Sequence, residues 1–425
     1  MTEALQPAEV AQVAETVTWA VGEEIPLEIV GAATKRGLGR PLLGAHGGAQ
    51  GTGGNRIIGH TLDLSRLSGI SLYEPEELVL TAGAGTPLAE IEAAVAAEGQ
   101  QLAFEPMHMA RLYGNDGGTL GGAVACNLAG PRRIKAGAAR DHVLGIKGVS
   151  GRGEAFKSGG RVVKNVTGYD LSKLMTGSYG TLAALTEITI KVLPAPEKTR
   201  TILVLGLDDE AAQRAMTTAL NSSHEVSGAA HLPAAVAAQS AVGYVSGAGG
   251  AVTALRVEGF GPSVAARTEA LRELLGSLGA LEELHSANSA VFWQEVRDVA
   301  PFQAGDLPLW RISATPNSGA AVVRDVADAQ SGTAFYDWGG GLIWYRLDGP
   351  VDDRLADDCG ATVVRQALER HGGGHATLVR AADEVRARVE VFQPQADGLA
   401  ALTARVKDSF DPRRILNPGR MYRGV

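Results

Sequence analysis

Cysteine is scarce in this chain of 425 residues. Only Cys126 and Cys359 occur, and they form no CxxC pair. The chain can therefore hold neither a four-cysteine iron–sulfur cluster nor a cysteine-rich zinc site, because both need more thiolates than it has. If the protein carries out redox chemistry, its electrons must leave through oxygen, a quinone or another protein.

Signals for other function classes are also missing. Aromatic residues make up 5% of the chain and the net charge is −8, so the sequence has neither base-stacking platforms nor the basic footprint of a nucleic-acid-binding protein. The motifs GKS, GKT, HExxH and GxSxG do not occur. No window of 18 apolar residues is present, and the N-terminal MTEALQPAEV lacks the apolar core of a signal peptide. A cytoplasmic protein is expected, and attachment at the inner face of the plasma membrane through a partner stays open.

Glycine, in contrast, is abundant, with 55 residues. The run GTLGGAVACNLAGPRR starts at Gly118, and Gly117 precedes it. Glycines this close together let a backbone approach a flat ligand and present its N–H groups. Further along, KNVTGYDLSKLMTGSYGTLAALTEITIKVLP ends in alternating apolar and polar residues, which predicts a strand behind such a ligand.

The first 197 residues are typical of a mixed α+β domain without the regular alternation of a doubly wound sheet. Strands are predicted at 26–30, 77–83, 142–149 and 187–193, each bounded by glycine-containing turns. One helix is predicted between the second and third strands. Its expected features are Thr86 as N-cap, Pro87 in the first turn, Gly99 at the C-terminal stop and one apolar face formed by Leu88, Ile91 and Val95.

From about Thr199 the pattern changes to three successive units of a strand followed by a helix. The hairpin TAFYDWGGGLIWYRL follows them. This pattern predicts an antiparallel sheet with helices on one face. The last segment is predicted to be a helix that ends near Pro412 and an extended tail. The expected domains are therefore 1–197, 198–378 and 379–425.

The order and spacing of these runs resemble the vanillyl-alcohol oxidase family of PCMH-type FAD-binding proteins, in particular the FAD-binding subunits of bacterial glycolate oxidases. The resemblance extends from VGAATKRGLGRP at Val30 to the C-terminal DPRRILNPGRMY. It implies a two-part FAD-binding domain, a cap domain that contributes to the substrate pocket, and a tail that returns to the FAD domain. It also implies oxidation of a 2-hydroxy acid, glycolate or D-lactate, beside a second flavoprotein subunit and an iron–sulfur subunit.

The predicted phosphate-binding loop follows the first strand. A turn at this place can point successive N–H groups at the FAD diphosphate, and Lys35 and Arg36 add positive charge. Relatives usually have more glycine here, and alanine tolerates positive φ poorly, so Ala32 and Ala33 imply a different local turn. The complete loop is Gly31, Ala32, Ala33, Thr34, Lys35, Arg36 and Gly37. The further cofactor residues that the resemblance implies are Thr119, Leu120, Gly121, Gly122, Asn127, Gly130, Asp141, Leu185 and Asn417.

Members of the family often attach FAD covalently through a histidine in this loop, but VGAATKRG contains none. A dissociable, non-covalent FAD is therefore expected, with His46 in the next glycine-rich segment as a weaker candidate for attachment. Lys164, Asn165 and Tyr169 are expected to anchor the region near the cofactor.

Three residues are candidates for the chemistry. Arg132 and Arg133 could grip a substrate carboxylate through two hydrogen bonds each, or they could be exposed arginines or phosphate contacts. His108 could take the hydroxyl proton, or it could be structural.

No metal site is expected. His371 and His375 are separated by three glycines, which disfavour a helix that would place both rings on one face. Relatives are expected to carry metal-binding histidines and acids in their caps, and this chain has no convincing equivalent. Two alternatives to direct catalysis therefore stay open, a non-catalytic FAD-binding structural or electron-relay subunit and a free-standing flavin oxidase.

Overall fold

The computed structural model describes residues 4–42, 57–162, 168–348 and 358–425. The chain divides into two compact units. The first contains Met1–Leu128, Gly137–Ala195 and Arg386–Val425, and the second contains Ala129–Ala136 and Pro196–Val385. The short segment Ala129–Ala136 therefore belongs to the second unit, although the chain on both sides of it belongs to the first. The domain borders after residues 197 and 378 stay predictions.

Two main sheets organise the first unit. A parallel sheet has the strand order β1-β3-β2, and an antiparallel sheet has the order β4-β5-β9-β7-β8, while β10 pairs with β6. All four predicted strands are present, although β9 begins at Ala183 rather than at residue 187. The strands are β1 (Ala4–Leu5), β2 (Leu27–Val30), β3 (His60–Asp63), β4 (Ile70–Glu74), β5 (Val79–Gly83), β6 (Gln100–Gln101), β7 (Val143–Ser150), β8 (Ala155–Gly159), β9 (Ala183–Lys191) and β10 (Leu193–Pro194).

The first six helices of the chain are mostly short. They are α1 (Val10–Gly22), α2 (Leu88–Ala97), α3 (Leu120–Ala125), α4 (Arg133–Ala136), α5 (Ala139–His142) and α6 (Leu171–Met175), of which α4 lies in the second unit.

The predicted helix is α2, and one detail of the prediction is wrong. Its apolar face is buried and Gly99 adopts φ +64° after its end, as expected. The N-cap, however, is Pro87 rather than Thr86. The Thr86 hydroxyl instead accepts a hydrogen bond from the Gly69 amide (2.9 Å) and donates one to the Gly83 carbonyl (2.7 Å).

The core of the first unit fixes the position of α3. Leu120, Ala123 and Val124 of α3 are fully buried against the five-stranded sheet, in the same cluster as Ile188 and Ile190 of β9. Burying such side chains contributes roughly 1.5–3 kcal/mol each. This packing holds the glycines Gly121 and Gly122 of α3 beside the sheet.

The second unit is built on one antiparallel sheet of eight strands in the order β14-β11-β13-β12-β16-β17-β15-β18. The predicted antiparallel sheet is thus confirmed. Its strands are β11 (Lys198–Leu205), β12 (Gly228–Leu232), β13 (Val252–Gly259), β14 (Leu281–Leu284), β15 (Leu309–Ala314), β16 (Gly332–Asp337), β17 (Leu342–Leu347) and β18 (Gly374–Arg380).

Helices follow β11, β13 and β15, as the three predicted units require. Ile202 and Val204 of β11 share a buried cluster with the first two of these helices, α7 and α10 below. Side chains alternate along a strand, and Thr201 on the other face of β11 accepts a hydrogen bond from Trp293 of a further helix, α11. Helices therefore pack on both faces of this sheet, rather than on the one face that was predicted. The helices are α7 (Asp209–Leu220), α8 (Ala234–Ala237), α9 (Gly243–Ser246), α10 (Gly261–Leu275), α11 (Ser286–Arg297), α12 (Gly319–Ala329) and α13 (Ala361–Arg370).

The C-terminal segment returns to the first unit. After α14 (Asp383–Arg388), α15 (Asp397–Phe410) ends just before Pro412, as predicted. The tail then runs beside β2, because Leu416 forms a parallel bridge with Leu27. Across the described residues, no helix combines the length and the apolar character needed to cross a membrane.

Candidate functional site

A cleft in the first unit brings together distant parts of the sequence. Its empty volume, open solvent included, is ≈ 820 Å³. Most of the predicted cofactor residues line it. These are Gly31, Ala32, Ala33, Thr34, Lys35, Arg36, Thr119, Gly121, Gly122, Leu185 and Asn417.

The loop after β2 makes one wall of the cleft. Ala33 adopts φ +57°, a left-handed conformation that costs an alanine roughly 1–2 kcal/mol. Gly31 has to be glycine, because a Cβ there would lie 2.5 Å from Thr119 Oγ1. The two cofactor segments that the sequence predicted, 31–37 and 118–122, are thus in direct contact.

Glycines of the second segment form a closely packed part of the cleft. A Cβ on Gly121 would lie 2.8 Å from the Ala84 carbonyl oxygen, and a Cβ on Gly122 would lie 3.3 Å from Lys35 Nζ. The Thr119 hydroxyl accepts a hydrogen bond from the Gly122 amide at 3.2 Å and caps α3. At Gly121 and Gly122 the backbone therefore lines the cleft without a side chain, so that a ligand can approach it closely.

The charge in the cleft is mainly positive. Lys35, Arg36 and Arg420 line it, and Glu28 is the one acidic residue among the described lining residues. Arg36 binds both carboxylate oxygens of Glu28 at 2.9 Å. Burial lowers the pKa of the Lys35 ammonium, and the nearby Cys126 thiol acts in the opposite direction. An anionic ligand would offset the cost of burying these cations.

Asn417 of the C-terminal tail joins two further walls. Its Oδ1 accepts a hydrogen bond from the Ile29 amide at 2.7 Å, and its Nδ2 donates to the Tyr179 carbonyl at 2.8 Å. Asn417 itself has φ +42°, a region that asparagine enters more readily than most residues. The tail residue predicted to lie near the cofactor is thus a structural link between β2 and the turn before β9.

These features fit a flavin dinucleotide. The excess of cations suits a diphosphate, the glycine backbone suits a flat ring system, and Leu64 and Leu185 supply apolar contact surface.

Five predicted cofactor residues are not among the described residues that line the cleft, namely Gly130 of the second unit and four residues of the first unit. Leu120 is buried in the core, and a Cβ on Gly37 would meet the Tyr113 ring at 2.4 Å. Asn127 and Asp141 support neighbouring backbone, since their carbonyl or carboxylate oxygens accept hydrogen bonds from the amides of Arg140 (3.1 Å) and Ala138 (2.9 Å). The four are Gly37, Leu120, Asn127 and Asp141.

Sequence reasoning missed several lining residues. Some lie inside the glycine-containing runs described above without being singled out, and the others come from separate segments that meet only in the folded chain. The clearest is Arg420, which directly follows the NPG motif that was noted for Asn417. The missed residues include Glu28, Ala84, Ala125, Cys126, Tyr179, Gly180 and Arg420.

Three other predicted residues belong to the second unit. The Gly130 carbonyl accepts a hydrogen bond from Trp338 Nε1 at 3.1 Å. Arg132 binds both carboxylate oxygens of Glu258, with Nε–Oε2 at 3.0 Å and Nη2–Oε1 at 2.8 Å. The Arg132 guanidinium is therefore already engaged by a carboxylate of the protein.

The Arg133 guanidinium stacks on Trp338, with its carbon 4.3 Å from the ring centroid, and Arg311 approaches the same ring at 5.1 Å. Trp338 has φ +54°, which is rare for a bulky side chain and marks local strain. The Asp337 carboxylate accepts the Trp338 amide hydrogen bond at 2.7 Å. Two guanidinium groups are thus gathered around one strained indole.

The predicted base, His108, lies in the first unit and is partly exposed. Its Nε2 is 3.3 Å from Glu92 Oε1, and it is not among the described lining residues of the cleft. A carboxylate at this distance can orient the ring by accepting a hydrogen bond from it.

His371 and His375 do not share a helix, as expected. His371 follows α13 and lies 3.1 Å from Asp325 Oδ2, while His375 lies on β18. In the described part of the chain, no three His, Cys, Asp or Glu side chains are grouped as a metal site would require. His46, Lys164 and Asn165 lie outside the described residues, and Tyr169 is exposed.

Comparison with known proteins agrees with this cleft. Residues 3–159 match the family model described as "FAD binding domain". The chain is 38% identical over 410 residues to the glycolate oxidase subunit GlcE of Escherichia coli K12, covering 96% of each protein. The chain belongs to the GlcE family. The family predicted from the sequence is thereby confirmed, and FAD is its cofactor.

Two more distant similarities place the GlcE family among larger relatives. The chain is 27% identical over 333 residues to the glycolate oxidase subunit GlcD of Bacillus subtilis 168, covering 72% of the chain and 68% of that protein. A solved structure of p-cresol methylhydroxylase superposes with a TM-score of 0.71 at 15% identity, covering 98% of this chain and 88% of that one. The second similarity concerns the fold alone and confirms the predicted PCMH-type architecture.

Proposed function

We propose that the chain is the FAD-binding subunit of a glycolate oxidase or dehydrogenase complex and oxidises glycolate or D-lactate to the 2-oxo acid. The observation that carries the proposal is the cationic, glycine-rich cleft in a chain that matches GlcE along 96% of both lengths. The coarser assignment, an FAD-linked oxidoreductase family, follows from the comparisons themselves.

The cleft of the first unit holds FAD in this proposal. Lys35 and the loop amides bind the diphosphate, and Gly121 and Gly122 admit the ring system. The proposal includes a non-covalent, dissociable cofactor, because the loop VGAATKRG contains no histidine.

Bound FAD supplies an acceptor for the hydride that leaves the Cα–H of a 2-hydroxy acid. Arg133, supported on Trp338 beside Arg311, binds the substrate carboxylate and orients the Cα–H bond. Arg132 was an equal candidate in the sequence, but its ion pair with Glu258 favours Arg133. His108 accepts the hydroxyl proton, with Glu92 orienting its ring.

The electrons then pass to partner proteins. The partners that the family resemblance implies are a second flavoprotein subunit and an iron–sulfur subunit. This chain, with two cysteines, has too few thiolates for a four-cysteine cluster of its own. A place in the cytoplasm, or at the inner face of the plasma membrane through these partners, is consistent with this role.

A second candidate is a structural or electron-relay subunit that binds FAD and never meets the substrate. The engagement of Arg132 by Glu258 favours it, because one of the two predicted carboxylate ligands is occupied within the protein. A free-standing flavin oxidase is the third candidate, and its mark would be oxygen consumption by the isolated chain.

The deciding experiment is an anaerobic visible spectrum of the purified chain before and after addition of glycolate and then D-lactate. Bleaching of the oxidised flavin by either acid is the expected result. A flavin that stays oxidised would overturn direct catalysis and support the relay role. Admission of oxygen after bleaching separates the oxidase, which would reoxidise at once, from the dehydrogenase.

A further inference from the structure

Arg420 of the C-terminal tail forms several hydrogen bonds with the backbone of the phosphate-binding loop and of Arg40, and no sequence motif in the tail predicts them. Its Nη2 donates to the carbonyl oxygens of Lys35 (3.1 Å) and Arg36 (3.0 Å), and its Nη1 donates to the Arg40 carbonyl at 3.3 Å. Its own carbonyl accepts a hydrogen bond from the Arg40 amide at 2.9 Å. One side chain from the C-terminus therefore holds the second half of the loop and the residues that follow it.

The position of Arg420 is electrostatically costly. Burial lowers the pKa of its guanidinium, Arg386 lowers it further, and Glu28 acts in the opposite direction. The Glu28 carboxylate, however, is already bound by Arg36 through two hydrogen bonds. A guanidinium that is half-buried beside other cations carries an electrostatic cost, and an anionic ligand in the cleft that it lines would reduce this cost.

The tail that carries Arg420 is firmly held. Lys407 Nζ, fully buried, donates to Asp411 Oδ2 (2.7 Å) and to the carbonyls of Thr181 (2.6 Å) and Leu416 (2.9 Å). The Asp411 carboxylate also accepts hydrogen bonds from the amides of Ile415 and Leu416. Buried hydrogen bonds therefore fix the backbone between α15 and Leu416. This fixed backbone holds Arg420, four residues later, close to the loop.

In a trans peptide, the carbonyl and the following N–H point in opposite directions. Holding the carbonyls of Lys35 and Arg36 therefore fixes the N–H groups of Arg36 and Gly37 as well. A loop ordered before binding loses less entropy when the ligand arrives.

We propose that Arg420 is a positioning residue for FAD, which holds the phosphate-binding loop in its binding conformation and makes the C-terminal tail a clasp for the cofactor. The proposal rests on the cleft holding FAD, but it does not depend on which substrate is oxidised.

The test compares FAD binding by the FAD-stripped full-length chain and three variants. Arg420→Ala removes the guanidinium, Arg420→Lys keeps the charge without the planar fork, and Arg413→Ala is the matched control. Arg413 lies on the same tail, but its side chain is 62% exposed and pairs with Glu24 at 3.3 Å. The readouts are the FAD dissociation constant from flavin fluorescence and the melting temperature of the FAD-free protein.

We expect R420A to weaken FAD binding by about tenfold to a hundredfold, because this is the change in affinity that corresponds to the loss of hydrogen bonds from a charged donor. R420K should recover part of this loss, R413A should bind like the wild type, and added guanidinium ion should rescue R420A but not R413A. A merely structural role would lower the melting temperature without rescue of affinity, and that result, or unchanged affinity in R420A, would overturn the proposal. A wild-type chain that binds no FAD would overturn the cofactor site as well.

Discussion

The guanidinium of Arg132 and the carboxylate of Glu258 form a two-point ion pair inside the second unit, with side chains that are 13% and 10% exposed. The Ser227 hydroxyl donates to the same carboxylate at 2.6 Å, and Arg256 Nε lies 3.5 Å from it. Burial by itself would raise the pKa of Glu258, but the charges of Arg256 and Arg132 and these hydrogen bonds outweigh it and lower the pKa to about 2. This pair ties the segment Ala129–Ala136 to β13.

Acid should weaken the second unit through Glu258. A carboxyl group whose pKa is lowered on folding stabilises the protein above its unfolded pKa, near 4.5, and the stabilisation is lost as pH falls towards about 2. We expect Glu258→Gln to lower the free energy of unfolding by about 3 kcal/mol at pH 7, and the difference from the wild type to shrink between pH 4.5 and 2. Urea unfolding followed by tryptophan fluorescence measures this.

Four of the five tryptophans lie in the second unit, so the fluorescence reports mainly on it. Glu269→Gln on the exposed side of α10 is the control and should unfold like the wild type. An E258Q difference that is the same at pH 7 and pH 3 would contradict the assignment.

Local pattern was enough to predict much of the fold. The spacing of Leu88, Ile91 and Val95 predicted α2 because a helix buries one face through side chains three and four residues apart. The strands near 27, 79 and 143 followed from short apolar runs between glycines. The N-cap of α2 was predicted wrongly because the Thr86 hydroxyl forms a hydrogen bond with the Gly69 amide. Residue preferences for helix N-caps do not take such a tertiary contact into account.

The functional contacts are mostly beyond sequence reasoning, because they join residues far apart in the chain. The turn after the first strand, with Lys35 and Arg36, indicated the phosphate-binding loop. The glycine-rich run at Gly118 indicated the cofactor segment that contains α3. The contacts of Arg420 with Lys35 and of Arg132 with Glu258 span 385 and 126 positions. Nothing near either residue in sequence signals its partner, so only the folded chain distinguishes Arg132 from Arg133.

FAD affinity should fall at alkaline pH because of Lys35. Burial lowers the pKa of this ammonium below 10.5 in the free protein, and a bound diphosphate would raise it again. Binding therefore takes up a proton in the window between the two pKa values, and affinity weakens as pH rises through it. We expect Lys35→Met to bind FAD more weakly and to lose this pH dependence, as measured by flavin fluorescence titration at several pH values. The control is Lys173→Met, because Lys173 is exposed and pairs with Asp170. If FAD affinity depended on pH in the same way in the wild type and in K35M, Lys35 would not be the group responsible.

Replacing Gly121 by a residue with a larger side chain should prevent the protein from retaining FAD. A Cβ there would lie 2.8 Å from the Ala84 carbonyl, whose oxygen also accepts the Gly121 amide hydrogen bond at 2.8 Å. We expect Gly121→Val to purify with little FAD, because overpacking costs roughly 1–3 kcal/mol and fills the cleft. The ratio of flavin to protein absorbance after gel filtration measures retention. Gly160→Ala, which meets no atom within 4 Å, should keep its FAD; stoichiometric flavin in G121V would refute the placement.

The two adjacent arginines should behave differently when each is replaced by methionine. Arg133→Met should raise KM for glycolate by about tenfold to a hundredfold with a smaller effect on kcat, because a guanidinium–carboxylate contact contributes roughly 1.5–3 kcal/mol to binding. Arg311→Met should act in the same direction, since Arg311 approaches the same indole. Arg132→Met should instead lower the free energy of unfolding, because it leaves Glu258 buried without its closest charged partner.

Steady-state kinetics and urea unfolding of the same samples separate the two effects, with Arg324→Met as the control. Arg324 is an exposed residue of α12 paired with Glu210, and R324M should change neither quantity. If R132M raised KM while R133M behaved like R324M, the substrate carboxylate would belong to Arg132, and the ion pair with Glu258 would have to open when substrate binds.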